Sequence, residues 1–275
     1  MNDRESGGAS GGSSPLVVSS RDNATFKDLK KLARSSRERR KRGLVFLEGT
    51  RLVRMCRKHV GEAETVVVMA SEKEREELSG LVGSRWGRRS VILDDALFRD
   101  LGTLKSPSPV MAVVSRPKGE EGGGGDALLI EGIQDPGNLG TMFRSAAAAG
   151  IAAAFLSGTC ADAWSPKCLR AGMGAQFMMG ISENVDLVKV ARTLDRTVVA
   201  LTPGSPTSLY EVDLTASAAF AVGSEGEGLS AELREGATVE AGIPMPGWKE
   251  SLNAAAALSI GLFEMVRQRR VRGKS

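Results

Sequence analysis

Three segments in the second half of the chain carry side chains that could position and polarise a ligand. The first, residues 134–144, reads QDPGNLGTMFR and contains an amide at Asn138 and a guanidinium at Arg144. Pro136 and Gly137 favour a turn, and Asn138 is a favourable N-cap for a helix that follows it. Two interpretations stay open from these residues alone: a capped helix with one surface arginine, or an amide and a cation presented together to a ligand.

The other two segments are a glycine-rich loop and a proline-rich loop. Residues 222–229 read VGSEGEGL, in which glycines alternate with acids. Glycine lets a backbone approach a ligand closely, whereas the acids would repel a phosphate. Residues 243–253 read IPMPGWKESLN and lead into an alanine-rich helix for which Ser251 is a candidate cap. A flexible loop and a buried helix are the alternatives, since neither segment has a P-loop lysine or a complete GxGxxG pattern.

All three segments lie beside short apolar runs that have the pattern of buried strands. Strands predicted at residues 127–130, 152–156, 197–201, 219–222 and 238–243 alternate with helices predicted at 138–149, 166–173, 229–235 and 251–270. This alternation predicts an α/β domain with a mostly parallel sheet covered on both faces. Ligands of such sheets bind at the carboxyl ends of the strands, where the three loops are expected.

Composition divides the chain into four parts. The run RPKGEEGGGGD, residues 116–126, predicts a linker between a small α/β domain over 25–115 and the larger domain over 127–275. The Gly/Ser-rich start predicts a disordered tail over 1–24. No apolar run is long enough for a transmembrane helix. The three cysteines lack CxxC spacing, which speaks against a disulfide framework or a metal site, and His59 is the only histidine.

Basic residues cluster in the first domain and at the C-terminus. Residues 27–42 hold nine lysines and arginines against two acids, and Arg267, Arg269, Arg270, Arg272 and Lys274 form the second cluster. Such clusters neutralise phosphates and favour a nucleic-acid partner, while a solvated helix face and a basic tail are the alternative. The candidate RNA-binding residues are Arg37, Arg39, Arg40, Arg42 and Arg51.

Taken in order, NLGTMFR, VGSEGEG and IPMPGWKESLN resemble the three motifs of the SpoU (TrmH-type) branch of the SPOUT methyltransferases. The stretch WSPKCLRAGMGA, residues 164–175, is similar to the middle segment of that family, with Gly172 where serine is expected. The resemblance covers about residues 127–271. The stretch RRKRGLVFLEGTRLV, residues 39–53, is similar to the small domain, like ribosomal protein L30e, that precedes many such enzymes.

The resemblance implies a trefoil-knotted parallel-sheet domain that uses S-adenosylmethionine to methylate a ribose 2′-hydroxyl of RNA. It also implies a homodimer and no metal ion. The implied catalytic residues are Arg144 at the hydroxyl, as base or as orienting cation, and around it Asn138, Glu225, Ser251 and Asn253. The cofactor would be held largely by backbone groups of Leu201, Thr202, Gly223, Gly228, Ile243, Met245 and Leu252.

A basic front domain joined to such a catalytic domain favours large-subunit ribosomal RNA as the substrate. The expected compartment is the cytoplasm, or an organelle if the source is eukaryotic. The alternatives are a transfer-RNA 2′-O-methyltransferase and a non-catalytic RNA-binding protein of ribosome assembly. A dinucleotide-dependent oxidoreductase is disfavoured, because the first predicted strand–helix turn lacks the complete glycine fingerprint.

Overall fold

The chain separates into two compact units, an N-terminal unit (residues 1–115) and a C-terminal unit (residues 116–275). In the part of the chain that the structure describes, each unit contains one β-sheet. The computed structural model describes residues 14–79, 81, 86–104, 106–119, 124–224, 226–247 and 250–273.

The N-terminal unit is built on a five-stranded mixed sheet. Its strands are β1 (Leu16–Val18), β2 (Leu44–Glu48), β3 (Ala63–Met69), β4 (Ser90–Leu93) and β5 (Val110–Ser115), in the order β1-β4-β3-β5-β2. Its helices are α1 (Ala24–Arg34), α2 (Ser36–Arg42), α3 (Thr50–His59), α4 (Glu76–Ser79) and α5 (Asp95–Leu101). β5 runs antiparallel to both of its neighbours, and the remaining pairs are parallel.

Burial of one face of α1 explains how this unit is held together. Phe26, Leu29 and Leu32 recur at helical spacing and pack with Phe98 of α5 and apolar residues of the sheet. The prediction of a disordered tail is wrong at residues 16–18, which form β1. Three apolar residues are too short a signal by themselves, and this strand exists through its parallel pairing with β4.

The C-terminal unit contains a six-stranded sheet in which every pair of neighbours is parallel. The strands are β6 (Ala127–Ile130), β7 (Ala153–Leu156), β8 (Gly180–Glu183), β9 (Thr197–Leu201), β10 (Ala218–Val222) and β11 (Val239–Ala241), in the order β11-β9-β10-β6-β7-β8. The helices are α6 (Pro136–Ala149), α7 (Pro166–Ala171), α8 (Leu187–Thr193), α9 (Ala231–Glu235) and α10 (Ala254–Arg272). The predicted parallel α/β sheet is confirmed, although β8 and α8 were not predicted.

The first helix beside the predicted ligand loops begins earlier than the sequence suggested. α6 starts at Pro136, and its N-cap is Asp135, whose carboxylate accepts hydrogen bonds from the N–H groups of Gly137 and Asn138. The prediction that Asn138 caps this helix is therefore wrong. Proline is favoured at the first helical position, and an aspartate directly before it takes the cap.

The second such helix begins later than predicted. α10 starts at Ala254, and its N-cap is Asn253, whose side-chain oxygen accepts hydrogen bonds from the N–H groups of Ala255 and Ala256. Ser251 is not the cap of this helix. Both residue types are good caps, so composition alone did not distinguish between them.

Candidate active site

The carboxyl ends of four neighbouring strands lie at one edge of the parallel sheet. Ile130 of β6 is in register with Val222 of β10, and Leu201 of β9 is in register with Ala241 of β11. The loops that follow these strands therefore begin at the same level. This edge is where a doubly wound sheet accepts its ligand.

Two adjoining clefts open between these loops. The larger has an empty volume of about 830 Å³ and lies between the glycine-rich loop (residues 223–229) and the start of α10. The smaller, of about 340 Å³, has mainly apolar walls and shares several of its lining residues with the larger. Each residue predicted to bind the cofactor lines one or both of these clefts: Leu201, Thr202, Gly223, Gly228, Ile243, Met245 and Leu252.

The glycine-rich loop folds tightly against itself. A Cβ atom at Gly223 would lie 2.0 Å from the carbonyl oxygen of Gly228, so only glycine fits there. Gly228 has a φ of +69°, and its N–H donates a hydrogen bond of 2.9 Å to the carbonyl oxygen of Ser224. Glu225, one of the predicted catalytic residues, lies outside the described residues.

Thr202 brings a buried polar atom to the wall that both clefts share. Its hydroxyl oxygen is buried and has no hydrogen-bond partner among the described residues. An unsatisfied buried hydroxyl is costly, and a polar atom of a ligand would satisfy it. Leu201, Ile243, Met245 and Leu252 surround the smaller cleft with apolar side chains. These walls suit a ligand that has a flat apolar ring with polar edges.

Two contacts between side chains fasten α6 to α10. The Asn253 Nδ2 group donates a hydrogen bond of 3.1 Å to Asn138 Oδ1. The hydroxyls of Ser145 and Ser259 are 2.7 Å apart and share a hydrogen bond. Asn138 and Ser145 are separated by two helical turns and so lie on the same face of α6. The structure thus brings together two of the predicted catalytic residues, Asn138 and Asn253.

The remaining predicted catalytic residues lie apart from that contact. Arg144 is exposed, nearly two turns further along α6, and makes no hydrogen bond or ion pair with the described part of the chain. Ser251 is exposed and lines the larger cleft. Arg144 is therefore accessible from solvent, while Ser251 lies at the wall of the larger cleft.

Asp135 and Lys167 border the start of α6, and neither was singled out by the sequence. The Lys167 ammonium donates a hydrogen bond of 2.8 Å to the Asp135 carboxylate. The pKa of Asp135 is held below its ordinary value, mainly by this bond and secondly by the hydrogen bond from the Asn138 N–H. The cap therefore stays ionised at neutral pH. An Asp-Pro pair at the end of a predicted loop was the signal that could have identified this cap.

α7 packs closely against α6 through glycines. A Cβ atom at Gly140 would lie 2.4 Å from the carbonyl oxygen of Cys168. At Gly172, the space for a side chain is filled by Gln176, whose Oε1 lies 2.6 Å from the ideal Cβ position. Gln176 is fully buried, and its Nε2 donates to the carbonyl oxygen of Ala163 at 3.3 Å. This packing explains why glycine stands where the resemblance predicts serine.

The arginines predicted to bind RNA differ in their exposure. Arg39 is only 4% exposed, and its guanidinium donates a hydrogen bond of 2.9 Å to the carbonyl oxygen of Leu32 in the last turn of α1. Its prediction as an RNA contact is wrong, because the side chain caps a helix from inside the unit. Arg42 forms an ion pair of 2.7 Å with Asp28. Arg42 is nevertheless exposed, as are Arg37, Arg40 and Arg51.

Two arginines of the C-terminal basic cluster are paired within their own unit. Arg267 pairs with Glu264 at 2.7 Å, and the Arg269 guanidinium donates to both carboxylate oxygens of Asp126. Burial works to raise the pKa of Asp126, but the hydrogen bonds from Arg269 and the Ala218 N–H prevail and hold that pKa below its ordinary value. This cluster offers less positive charge to a nucleic acid than the sequence suggested.

Metal ions, reactive thiols and membrane spans each require particular groupings of side chains. No three His, Cys, Asp or Glu side chains in the described ranges are grouped so that they could hold a metal ion. Burial raises the pKa of the Cys56 thiol to about 12, which keeps it protonated. Within the same ranges, no helix is long and apolar enough to cross a membrane.

A parallel sheet with a ligand cleft at its carboxyl edge defines the C-terminal unit as an α/β ligand-binding domain. Residues 127–263 match the model of the SpoU rRNA Methylase family. The chain is 32% identical over 253 residues to the 23S rRNA (guanosine(2553)-2′-O)-methyltransferase RlmP of Bacillus subtilis. The aligned region covers 90% of this chain and 98% of that protein. The chain therefore belongs to the SpoU rRNA methylase family, a family of methyltransferases, as the motifs predicted.

Two solved structures share the fold along most of the chain. The SpoU methyltransferase AviRb from Streptomyces viridochromogenes, in complex with AdoMet, superimposes with a TM-score of 0.82 at 25% identity, covering 90% of this chain and 98% of that one. The AdoMet-bound rRNA methyltransferase from Sinorhizobium meliloti gives a TM-score of 0.80 at 26% identity, covering 91% and 97%. The likeness in fold therefore includes the N-terminal unit as well as the C-terminal one.

Proposed function

We propose that this protein transfers a methyl group from S-adenosylmethionine to a ribose 2′-hydroxyl of large-subunit ribosomal RNA. The observation that carries the proposal is the hydrogen bond from Asn253 to Asn138. It joins α6, which bears Arg144, to the beginning of α10, which lines the larger cleft. The names of the RlmP relative and of the two AdoMet-bound neighbours support the same substrate and cofactor.

The clefts suit the separate parts of S-adenosylmethionine. Leu201, Ile243 and Leu252 would pack against its adenine, and the buried Thr202 hydroxyl would meet a polar atom of the nucleoside. When bound, the cofactor supplies an electrophilic methyl group on a positively charged sulfur. Glu227 lines the larger cleft, and its negative charge favours such a cation over a phosphate.

Arg144 would orient the ribose hydroxyl and stabilise the negative charge that develops on its oxygen. A guanidinium keeps its proton at neutral pH, so it suits a charge-stabilising donor better than a base. Transfer requires the 2′-oxygen to lie in line with the methyl group. In this proposal Asn138 and Asn253 bind the ribose, and Glu225 would pair with Arg144. Ser251 would contact the cofactor from the wall of the larger cleft.

The N-terminal unit would supply affinity for RNA through its exposed cations. Arg51, Arg54 and Lys58 recur at intervals of three and four residues along the exposed side of α3. Arg37 and Arg40 are exposed on α2. Binding through such residues depends steeply on salt, because it releases counterions from the phosphates.

We also propose that the protein is a homodimer that works where ribosomal RNA is made. Ala256, Ile260 and Phe263 recur one turn apart on α10, and Phe263 is 50% exposed. A large, exposed apolar side chain at the end of such a stripe favours contact with a second copy of the chain. A ribosomal RNA substrate favours the cytoplasm, or in a eukaryote an organelle with ribosomes.

The proposal is tested by incubating the full chain with radiolabelled S-adenosylmethionine and protein-free RNA. We expect label in 23S ribosomal RNA, recovered as a 2′-O-methylnucleoside after digestion and mass spectrometry. Transfer RNA and 16S ribosomal RNA are the controls, and neither should be labelled. Label on a base, or label in transfer RNA alone, would contradict the proposed substrate.

A further inference from the structure

Glu131 joins the segment between β6 and α6 to the start of α9, and it has no role in the proposed methyl transfer. It directly follows the last residue of β6 and begins the segment that leads into α6. Its carboxylate accepts two hydrogen bonds from one residue, Ser230: one from the backbone N–H at 2.7 Å and one from the hydroxyl at 2.9 Å. Ser230 is the N-cap of α9 and comes directly after the glycine-rich loop.

The same residue holds both ends of the glycine-rich loop. At the start of the loop, the Glu131 N–H donates a hydrogen bond of 2.9 Å to the carbonyl oxygen of Val222. At its end, Ser230 is held by the Glu131 carboxylate. Between these points the loop closes on itself through the hydrogen bond from the Gly228 N–H to Ser224. One residue therefore contacts both ends of the loop, the first through its backbone N–H and the second through its side chain.

We propose that Glu131 is a positioning residue that holds the glycine-rich loop in the conformation that binds S-adenosylmethionine. This inference rests on the proposed function. The carboxylate is not required for the fold of the sheet, since every residue of β6 is paired with β10 without it. α9 keeps its cap without it as well, because the Ser230 hydroxyl accepts a hydrogen bond from the Leu233 N–H. Removal of the carboxylate should therefore loosen the loop and leave the unit folded.

The test measures cofactor binding to the full chain by titration calorimetry. We expect Glu131→Ala to raise the Kd for S-adenosylmethionine roughly tenfold, since hydrogen bonds to a carboxylate are among the stronger ones. The KM for the cofactor should rise in parallel, while the KM for RNA stays unchanged. Glu131→Gln should restore binding to within about twofold of wild type, because its amide can accept from the Ser230 N–H and donate to the hydroxyl.

The matched control is Asp186→Ala. Asp186 caps α8 by accepting a hydrogen bond of 3.0 Å from the Lys189 N–H, and this helix follows β8 at the far end of the sheet order. The variant loses a comparable polar contact and should keep the wild-type Kd. Equal weakening in Asp186→Ala and Glu131→Ala would overturn the inference, as would a folded Glu131→Ala protein that binds with the wild-type Kd.

A second variant covers the case in which Glu131→Ala does not fold. Ser230→Ala removes the hydroxyl contact to Glu131 together with the side-chain cap of α9, and it should raise the Kd by roughly threefold. An unchanged Kd in this variant would also overturn the inference. The proposed function is tested separately by the wild-type chain. A wild-type protein that neither binds the cofactor nor methylates RNA refutes that function, whereas an active wild type with an unaffected Glu131→Ala variant refutes the positioning role alone.

Discussion

The side chain of Asn253 makes contacts in two directions, and one of them reaches Asn138. Its oxygen caps α10 by accepting from two backbone N–H groups, while its nitrogen donates to Asn138 Oδ1 at 3.1 Å. One amide thus begins the helix that lines the cofactor cleft and fixes it to the helix that bears Arg144. An aspartate could do the first of these two tasks but not the second, which allows them to be separated.

The substitution Asn253→Asp should impair activity at little cost in stability. Aspartate caps a helix as well as asparagine does, so the free energy of unfolding should change by no more than about 0.5 kcal/mol. The carboxylate cannot donate to Asn138, and methyl transfer should fall roughly tenfold or more. Thermal denaturation and single-turnover methylation measure the two effects. Full activity in the folded variant would show that the contact between the asparagines is not used.

Glycine should be required at Gly223 and dispensable at Gly226. An alanine at Gly223 would place its Cβ 2.0 Å from a backbone oxygen, so the loop must shift, at a cost of about 1–3 kcal/mol. Gly226 has nothing within 4 Å of its ideal Cβ position, and Gly226→Ala is the matched control. We expect titration calorimetry to show weakened cofactor binding for Gly223→Ala alone. Equal binding by both variants would contradict the role of the tight loop.

Features that depend on local interactions were predictable from the sequence, whereas features that depend on contacts between distant residues were not. The parallel sheet and its ligand loops were predictable, because short apolar runs and glycines are local signals. The burial of Arg39 was not, because it depends on how α2 folds back on α1. Likewise β8 contains glycine, serine and glutamate, and it is a strand only through its pairing with β7. The knot and the likeness to ribosomal protein L30e stay predictions from the resemblance.

The packing of Gln176 at Gly172 predicts a coupled pair of substitutions. Gly172→Ser should destabilise the protein by about 1–3 kcal/mol, because the new Cβ would lie 2.6 Å from a fully buried side chain that has little room to move. In a Gln176→Ala background, the same serine should cost much less, since the space is open. Chemical denaturation of the two single variants and the double variant measures the coupling. Additive losses would mean that the two positions do not compete for space.

Acid stability should depend on the pair formed by Asp126 and Arg269. The pKa of Asp126 is lowered in the folded state, so the pair stabilises the fold above the ordinary carboxyl value of about 3.9 and this contribution is lost as the pH falls through the folded pKa. Because Arg269 is partly exposed, Asp126→Asn should cost about 1–3 kcal/mol at pH 7. It should also make the free energy of unfolding depend less on pH below about pH 4. Glu240→Gln, in a more exposed pair with Arg234, is the control and should change little. Denaturation of Asp126→Asn that tracks wild type at every pH would contradict this role.

Substitution of Arg144 should impair catalysis without affecting the binding of the cofactor. Arg144→Ala should bind S-adenosylmethionine with the wild-type Kd, because the residue lines neither cleft. Methyl transfer should be lost, since one charge-stabilising donor contributes about 100-fold or more to such a rate. Calorimetry and a single-turnover assay on the same preparation give both values. Arg144→Lys, which keeps the charge but not the planar fork, should remain strongly impaired.

The central claim is that this chain methylates a ribose of large-subunit ribosomal RNA by means of Arg144. The most direct test is a 2′-O-methylation map of ribosomal RNA from a strain that lacks the gene, complemented either with wild type or with Arg144→Ala. We predict that one 23S site loses its methyl group in the deletion strain, regains it with wild type and stays unmethylated with Arg144→Ala. An unchanged map in the deletion strain, or full methylation restored by Arg144→Ala, would contradict the claim.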